Sequence, residues 1–366
     1  MIGFILLVYA VFIVWMILGK VKPINKLSEK MHSVSIVIPY RNEENNVMQL
    51  LTFLARQKYA SENLELILVN DHSTDKGFTL IDSEIDKLPF KVHHLSLGIE
   101  YGKKAAVKVG VETAKNDVII CTDADCAMGE NWIFEMQSVF EGEKVQMALG
   151  PVMLHSKKPT WFQKLQTFEF ASIMAVTMYT ADRKRPILSN GANIAFRREL
   201  FFASANYEGN EDVASGDDIF LLHAFKRKFG NEGIRFVANE EALVQTEAIS
   251  DFRSFFKQRI RWAAKSKKYK DYDTIKFGLV ISLANVAVLV AFVGFLLQYN
   301  SFSFFVGVFC FKWILDLILV QQVPHWLRGN SIVKWSFILS IFYPGYSVGI
   351  ALLSLFLSPQ WKGRKT

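Results

Sequence analysis

The chain has 366 residues, 51% of them hydrophobic, a formal charge of +7 and a mean hydropathy of +0.19, which is high for a soluble protein. Three scattered cysteines, Cys121, Cys126 and Cys310, exclude a disulfide framework, and no second Cys/His pair at zinc spacing accompanies Cys121 and Cys126. The basic surplus gathers at 253–270 beside an apolar block, which fits an anionic membrane face or substrate, and no nucleic-acid module is present.

The apolar residues collect at 2–18, 278–297, 302–320 and 335–357, each near the roughly 20 residues that cross a hydrocarbon core. Residues 2–18 have no basic leader and no cleavage site, so a retained anchor is expected over 1–20. Lys20, Lys22, Lys26 and Lys30 behind it predict a cytoplasmic continuation.

After a linker with Pro23, the run SVSIVI at 33–38 predicts a strand, broken by Pro39-Tyr40-Arg41-Asn42. Residues 43–57 predict a helix with Asn42 as N-cap and Val47, Leu50, Leu51 and Leu54 on one face. A second strand at 64–69 runs into the polar turn 70–75, where Asp75 caps a helix over 77–86. A third strand follows at 91–97, and Gly102-Lys103-Lys104 opens a helix over 105–114, with Lys104 on its solvated face.

The apolar run 118–121 predicts a buried fourth strand, extended as far as Asp125. Residues i and i+2 of an extended segment point the same way, so Asp123 and Asp125 project together from a strand's C-terminal edge. Open α/β sheets place ligands at that edge, and the pair suits a hard divalent cation bridging a carboxylate and a diphosphate. Alternating strands and helices predict a mostly parallel sheet covered on both faces. The dinucleotide fingerprint G-x-G-x-x-G is absent after the first strand.

Further on, a helix is predicted over 161–180, with Trp161, Phe162, Phe168 and Phe170 in membrane contact or core. Strands are predicted at 187–196 and 234–244, and a helix at 217–227 with Asp217 and Asp218 at its N-terminus. Residues 250–272 predict an amphipathic interfacial helix. Phe252, Phe255, Phe256, Ile260 and Ala263 recur at helical spacing, and Arg253, Lys257, Arg259, Arg261, Lys265, Lys267 and Lys268 fill the remainder.

Residues 278–357 predict two or three transmembrane segments, with Lys312 and Asp316 spaced to pair on one helix face. Pro344 and Gly345 predict a kinked or re-entrant last segment. One anchor plus three spans would put Lys362, Arg364 and Lys365 outside, against the positive-inside tendency, which leaves a two-span tail open.

Seven motifs in order, VSIVIPYRNEE, ILVNDHSTD, YGKKAAVKVG, TDADC, GANIAFRRE, GDD and QRIRW, resemble the family 2 glycosyltransferases with the GT-A fold. The likeness covers about residues 33–262 and is greatest to the membrane-embedded branch that makes cellulose, chitin and hyaluronan. It implies a cytoplasmic catalytic domain over 33–248, α/β and mostly parallel, flanked by transmembrane helices.

The resemblance also implies roles. Pro39, Arg41 and Glu43 would surround a nucleotide, and Asp71 would accept from its base. Lys103, at a helix N-terminus, would meet phosphate. Asp123 would lie near ribose or phosphate, with Asp125 the direct ligand of Mg²⁺ or Mn²⁺. Asp218, beside Asp217, matches the catalytic base. Gly191, Ala192 and Asn193 would lie near acceptor and donor, and Gln258, Arg261 and Trp262 near acceptor and diphosphate.

The expected protein is a membrane-bound inverting glycosyltransferase of the bacterial inner membrane. It would move a sugar from a nucleotide-diphosphate donor, UDP foremost, to a hydroxyl of a lipid-linked, lipid or polysaccharide acceptor. Q-x-x-R-W leans towards a polysaccharide enzyme, while the short tail leaves processivity open. The alternatives are a nucleotidyltransferase-like enzyme, which would lack the second Asp-Asp and Q-x-x-R-W, and an inactive membrane scaffold, which would have lost an acidic pair.

Overall fold

A computed structural model describes residues 1–19, 31–142, 144–204, 216–329, 331–357, 360–361 and 364–365. Pro23 and the lysines expected to orient the N-terminal segment, Lys20, Lys22, Lys26 and Lys30, lie outside the described residues, as does Lys362.

In chain order the elements are α1 (Ile2–Ile17), β1 (Val34–Tyr40), α2 (Val47–Ala55), β2 (Leu64–Asn70), α3 (Gly77–Asp82), β3 (Lys91–Ser96), α4 (Lys103–Thr113) and β4 (Val118–Cys121). There follow β5 (Ala127–Met128), α5 (Trp132–Ser138), β6 (Met147–Leu149), β7 (Val152–His155), α6 (Trp161–Asp182), β8 (Ile194–Arg197), α7 (Arg198–Ala203) and α8 (Asp217–Phe229). The rest are β9 (Ile234–Phe236), β10 (Val244–Glu247), α9 (Phe252–Ala264), α10 (Tyr272–Leu296), α11 (Phe302–Gln321), α12 (His325–Arg328), α13 (Ile332–Phe356), β11 (Gln360–Trp361) and β12 (Arg364–Lys365).

The main sheet runs β3-β2-β1-β4-β8-β6-β9. Its first four strands are parallel, as the alternating pattern predicts, and β8 runs antiparallel to both β4 and β6. Every residue of β1, β2 and β4 is buried, because helices cover both faces. That is why these strands read as unbroken apolar runs. A smaller sheet, β5-β10-β7, closes one side.

Several boundaries differ from expectation. Strand β1 continues through Pro39 and Tyr40, which pair with Val69 and Asn70. Its pairing with β4 stops at Val37–Cys121, so the proline lies past the end of that ladder, where its missing N–H is tolerated. Asn42 is not a helix cap. It sits at φ 52°, its Oδ1 accepts from Thr74 N at 2.8 Å, and α2 begins only at Val47.

The helix expected over 77–86 is α3 plus a separate 3-10 turn, Ile85–Lys87, and Asp75 Oδ1 accepts from Gly77 N at 3.1 Å. Strand β4 ends at Cys121, so Asp123 and Asp125 stand on a turn rather than an extended segment. The strand expected over 187–196 shrinks to β8, and that over 234–244 divides between the two sheets as β9 and β10.

Among the described residues three helices, α10, α11 and α13, are long and apolar enough to cross a membrane. Helix α13 is continuous through Pro344, with no re-entrant break. Helix α1 corrects the expected anchor: its 16 residues rise about 24 Å, short of a core of about 30 Å. It docks on the spanning helices instead. Phe12 stacks on Phe277 of α10 at 4.7 Å, and Tyr9 Oη donates to Asp316 Oδ1 of α11 at 2.5 Å. The expected Lys312–Asp316 pair forms at 2.6 Å.

Helix α6 opens with a capping box between Thr160 and Gln163 and is buried along much of its length, including Phe162, Phe168 and Phe170, while Trp161 is exposed. Against it lies α9, capped by Asp251, whose side chain accepts from Ser254 N at 2.8 Å.

Candidate active site

The parallel strands end together, and the loops beyond them enclose a cavity of about 500 Å³. Its walls come from the ends of β1 and β2, the turn at 123–125, the loop at 188–192, the N-termini of α4 and α8, and one face of α9. Both helices start behind a left-handed glycine, Gly102 at φ 98° and Gly216 at φ 84°, a conformation that costs glycine no Cβ clash.

The two acidic pairs meet across one ammonium. Lys103 Nζ lies 2.7 Å from Asp123 Oδ1 and 3.2 Å from Asp217 Oδ2. Gly191 permits this approach: a Cβ there would stand 2.9 Å from Asp217 Oδ2 and 3.0 Å from Lys103 Nζ. Asp218 is held from the other side. Its Oδ2 accepts from Gly191 N at 3.2 Å, its Oδ1 accepts from Ile219 N at 2.7 Å, and Lys265 Nζ is 3.5 Å away.

These neighbours split the carboxylates. Burial raises Asp217 above the usual range, against the pull of Lys103. Burial would also raise Asp218, but Lys265, Lys103 and the two amides outweigh it and hold that carboxyl low. Burial alone would lower the Lys103 ammonium, and Asp123 and Asp217 lift it well above its ordinary value instead. Arg261 is lowered by burial, opposed by Asp217, Asp218 and Asp123.

Every site residue singled out in the sequence lines this cavity except Asn193. Arg41 Nη1 donates to the carbonyls of Asp71 and His72, both at 2.7 Å, fixing the β2 exit. Asp71 is buried, with Oδ1 3.1 Å from His72 Nδ1. Glu43 Oε2 accepts from Asn46 Nδ2 at 2.7 Å. Asp125 Oδ2 accepts from Thr246 Oγ1 at 3.4 Å. Gln258, Arg261 and Trp262 face in from α9.

Asn193 is a brace instead. It is fully buried, its Oδ1 accepts from Trp132 Nε1 at 3.0 Å, and its Nδ2 donates to Pro151 O and Ala242 O, each at 2.8 Å. Two cations also depart from expectation. Lys104 is not on a solvated face but buried, 4.5 Å from the Phe220 ring centroid. Arg259 is not a lipid-surface cation: it is 5% exposed and pairs with Glu169 of α6 at 2.7 Å.

Lys265 and Tyr269 also line the cavity and were not singled out. A signal for Lys265 existed, since 258, 261, 262 and 265 share one face of a helix.

Residues 35–202 match the model of Glycosyl transferase family 2, and the chain has the α/β GT-A fold. It is 33% identical over 132 residues to an undecaprenyl-phosphate 4-deoxy-4-formamido-L-arabinose transferase of Aeromonas hydrophila, covering 36% of this chain and 40% of that one. It is 23% identical over 328 residues to the poly-β-1,6-N-acetyl-D-glucosamine synthase of Staphylococcus epidermidis, covering 80% and 75%. The chain thus spans about half or less of the arabinose transferases it matches. The fold is shared along nearly its whole length with a mannosyltransferase of Pyrobaculum calidifontis solved with GDP-mannose and Mn²⁺: TM-score 0.64, 16% identity, 97% of this chain and 96% of that one.

Proposed function

We propose that the protein is a membrane-bound, inverting glycosyltransferase that moves a sugar from a nucleotide-diphosphate donor to an acceptor hydroxyl. The observation that carries this reading is the convergence of both acidic pairs on Lys103, with Asp218 held ionised beside them. An inverting displacement needs positive charge on the leaving side and a base on the attacking side.

In this reading Asp218 accepts the proton of the acceptor hydroxyl as its oxygen attacks the anomeric carbon. The bond to the donor's diphosphate oxygen breaks, and the electron pair leaves with the nucleotide. Lys103 and Arg261 face the diphosphate, Arg41, Glu43, Pro39 and Asp71 shape the nucleotide end, and Trp262 and Gln258 border the acceptor. Gly191 keeps the wall thin where the sugar must pass between the acids.

A divalent cation fits this site as a shared ligand. Among the described residues no three His, Cys, Asp or Glu side chains form a complete cage, while Asp123 and Asp125 offer carboxylate oxygens from one turn. Mg²⁺ or Mn²⁺ would be held by Asp123 and Asp125 and would supply positive charge against the departing diphosphate. The Mn²⁺ and GDP-mannose of the Pyrobaculum calidifontis mannosyltransferase support the class of donor and metal. UDP is the nucleotide to try first.

The named relatives act in lipid-linked and polysaccharide sugar transfer, which supports an acceptor at a bacterial inner membrane with the catalytic domain on the cytoplasmic side. The test incubates detergent-solubilised full-length protein with a panel of nucleotide sugars and Mn²⁺, reading products by mass. Nucleotide diphosphate released from one sugar donor, and lost in Asp125→Ala, is the expected result. Consumption of a nucleoside triphosphate instead would support a nucleotidyltransferase, and no turnover with any donor a scaffold.

A further inference from the structure

Helix α13 has the length and composition of a membrane crossing, yet both of its ends lie against the catalytic domain. Near its start, Lys164 Nζ stands 5.9 Å from the Trp335 ring centroid. Lys164 sits in the first turn of α6, where Gln163 Nε2 donates to Ala248 O, just past β10, at 3.0 Å. Midway, Tyr346 donates to Glu169 of α6 at 3.2 Å and stacks on Phe255 of α9 at 5.7 Å. At its end, Leu355 O accepts from Lys267 Nζ at 3.2 Å. Lys267 belongs to the 3-10 turn Lys265–Lys268, which leads into α10. That is the catalytic end of α10, since its N-cap Asp271 pairs with Lys226 of α8 at 2.8 Å.

Trp335 and Leu355 are twenty residues apart, about 30 Å of helix. A helix crossing a core of that thickness would put them on opposite faces of the membrane. Here each meets an exposed lysine, and an ammonium is costly away from water, so both contacts belong to one aqueous face.

The helix is also two-sided. Ser336, Ser340, Tyr343, Ser347 and Ser354 recur at helical spacing down one side. That side is turned to the protein: Ser336 and Ser354 are buried, and Ser336 Oγ accepts from Trp313 Nε1 at 3.0 Å. Phe337, Ile341, Leu352 and Phe356 fall on the opposite side and are exposed. An apolar strip of that length has no place in water. Exposed Lys164 and Lys334 at one end and Lys267 at the other bracket it with positive charge, which fits a leaflet of anionic lipids.

We propose that α13 does not cross the bilayer. It lies along the leaflet next to the catalytic domain, with its hydroxyl side against the protein and its apolar side among the acyl chains. Among the described residues, α10 and α11 are then the two crossings of the C-terminal part. Arg364 and Lys365 stay on the catalytic side, which removes their conflict with the positive-inside tendency. The inference stands on helix contacts and not on the transferase reading.

The test uses spheroplasts that express the full-length chain with Cys310→Ser, treated with a membrane-impermeant maleimide before and after permeabilisation. Cysteines are added singly as Lys108→Cys on the exposed side of α4, Tyr299→Cys between α10 and α11, and Lys365→Cys beyond α13. Labelling of Lys365→Cys should rise at least fivefold on permeabilisation, as for Lys108→Cys, while Tyr299→Cys labels fully in intact spheroplasts. Arg364→Cys replaces Lys365→Cys should that variant not accumulate. A C-terminal cysteine that labels like Tyr299→Cys would overturn the proposal. So would Tyr299→Cys behaving like Lys108→Cys, which would remove the two crossings.

Depth gives the second readout. Ile341→Cys and Phe356→Cys are spin-labelled in the same Cys310→Ser chain, in nanodiscs of phosphatidylcholine and phosphatidylglycerol. A crossing would hold position 341 near the bilayer centre and position 356 near its surface, about 15 Å apart in depth. Along one leaflet the two labels should agree within about 8 Å, both relaxed by dissolved oxygen. A larger difference, or labels reached by an aqueous nickel chelate in place of oxygen, would overturn the proposal.

Discussion

Arg259 of α9 lies with its Nη2 2.7 Å from Glu169 Oε2 of α6, both side chains nearly excluded from solvent. The same guanidinium stands over the rings of Phe255 and Trp262, at 4.5 and 4.3 Å, and donates to Gln258 Oε1. Tyr346 of α13 donates to the other Glu169 oxygen at 3.2 Å. One buried ion pair therefore ties α13 to two cavity-lining residues of the Q-x-x-R-W motif.

Breaking that pair from one side leaves the other charge buried. Arg259→Leu should destabilise the protein by about 3–5 kcal/mol, read as a fall in melting temperature. Arg259→Lys keeps the charge but loses the planar stack, so it should melt near wild type yet lose about 100-fold in kcat/KM through misplaced Trp262 and Gln258. Unchanged kinetics in Arg259→Lys would show that the pair only holds the fold.

Asp218→Asn removes the proposed base with little change in volume. Donor KM should stay near wild type while kcat falls by about 10²–10⁴. An equal effect confined to KM would reassign Asp218 to binding.

Lys265 helps keep Asp218 ionised. In Lys265→Met the Asp218 carboxyl should rise, so the acid limb of the kcat/KM profile should move to higher pH. An unmoved limb would separate Asp218 from the ionisation that controls the rate.

His223 gives a stability signature with a definite sign. Burial lowers it from 6.5 to about 4, and its Nε2 lies 3.0 Å from Thr274 Oγ1. Below pH 6.5 the unfolded chain takes up a proton that folded His223 refuses. Stability from this group is thus complete above pH 6.5 and declines as pH falls towards 4, by at most about 3 kcal/mol. His223→Gln should flatten the melting-temperature profile across pH 6.5 to 4.

Asn193→Ala should behave as a packing and hydrogen-bond lesion. Trp132 Nε1 and the carbonyls of Pro151 and Ala242 lose a buried partner, at about 1–3 kcal/mol for each group left unsatisfied. The melting temperature should drop, while nucleotide affinity at low temperature stays close to wild type.

Local pattern alone placed β1, β2, β3 and β4, the helix carrying Asp217 and Asp218, the spanning helices and the Lys312–Asp316 pair. Those features depend on chain neighbours: apolar runs, helical spacing, and charges one turn apart. What only the tertiary structure decided depends on residues distant in the chain. Asn193 turned inward because Trp132, Pro151 and Ala242 converge on it. Arg259 left the cationic face of α9 because Glu169, ninety positions earlier, lies buried opposite it. Lys104 met the Phe220 ring, and Lys103 came to bridge Asp123 and Asp217. Residue type and spacing state what a side chain can do locally. Which partner it meets is set by packing across the sheet and the membrane helices, and a one-dimensional pattern does not carry that information.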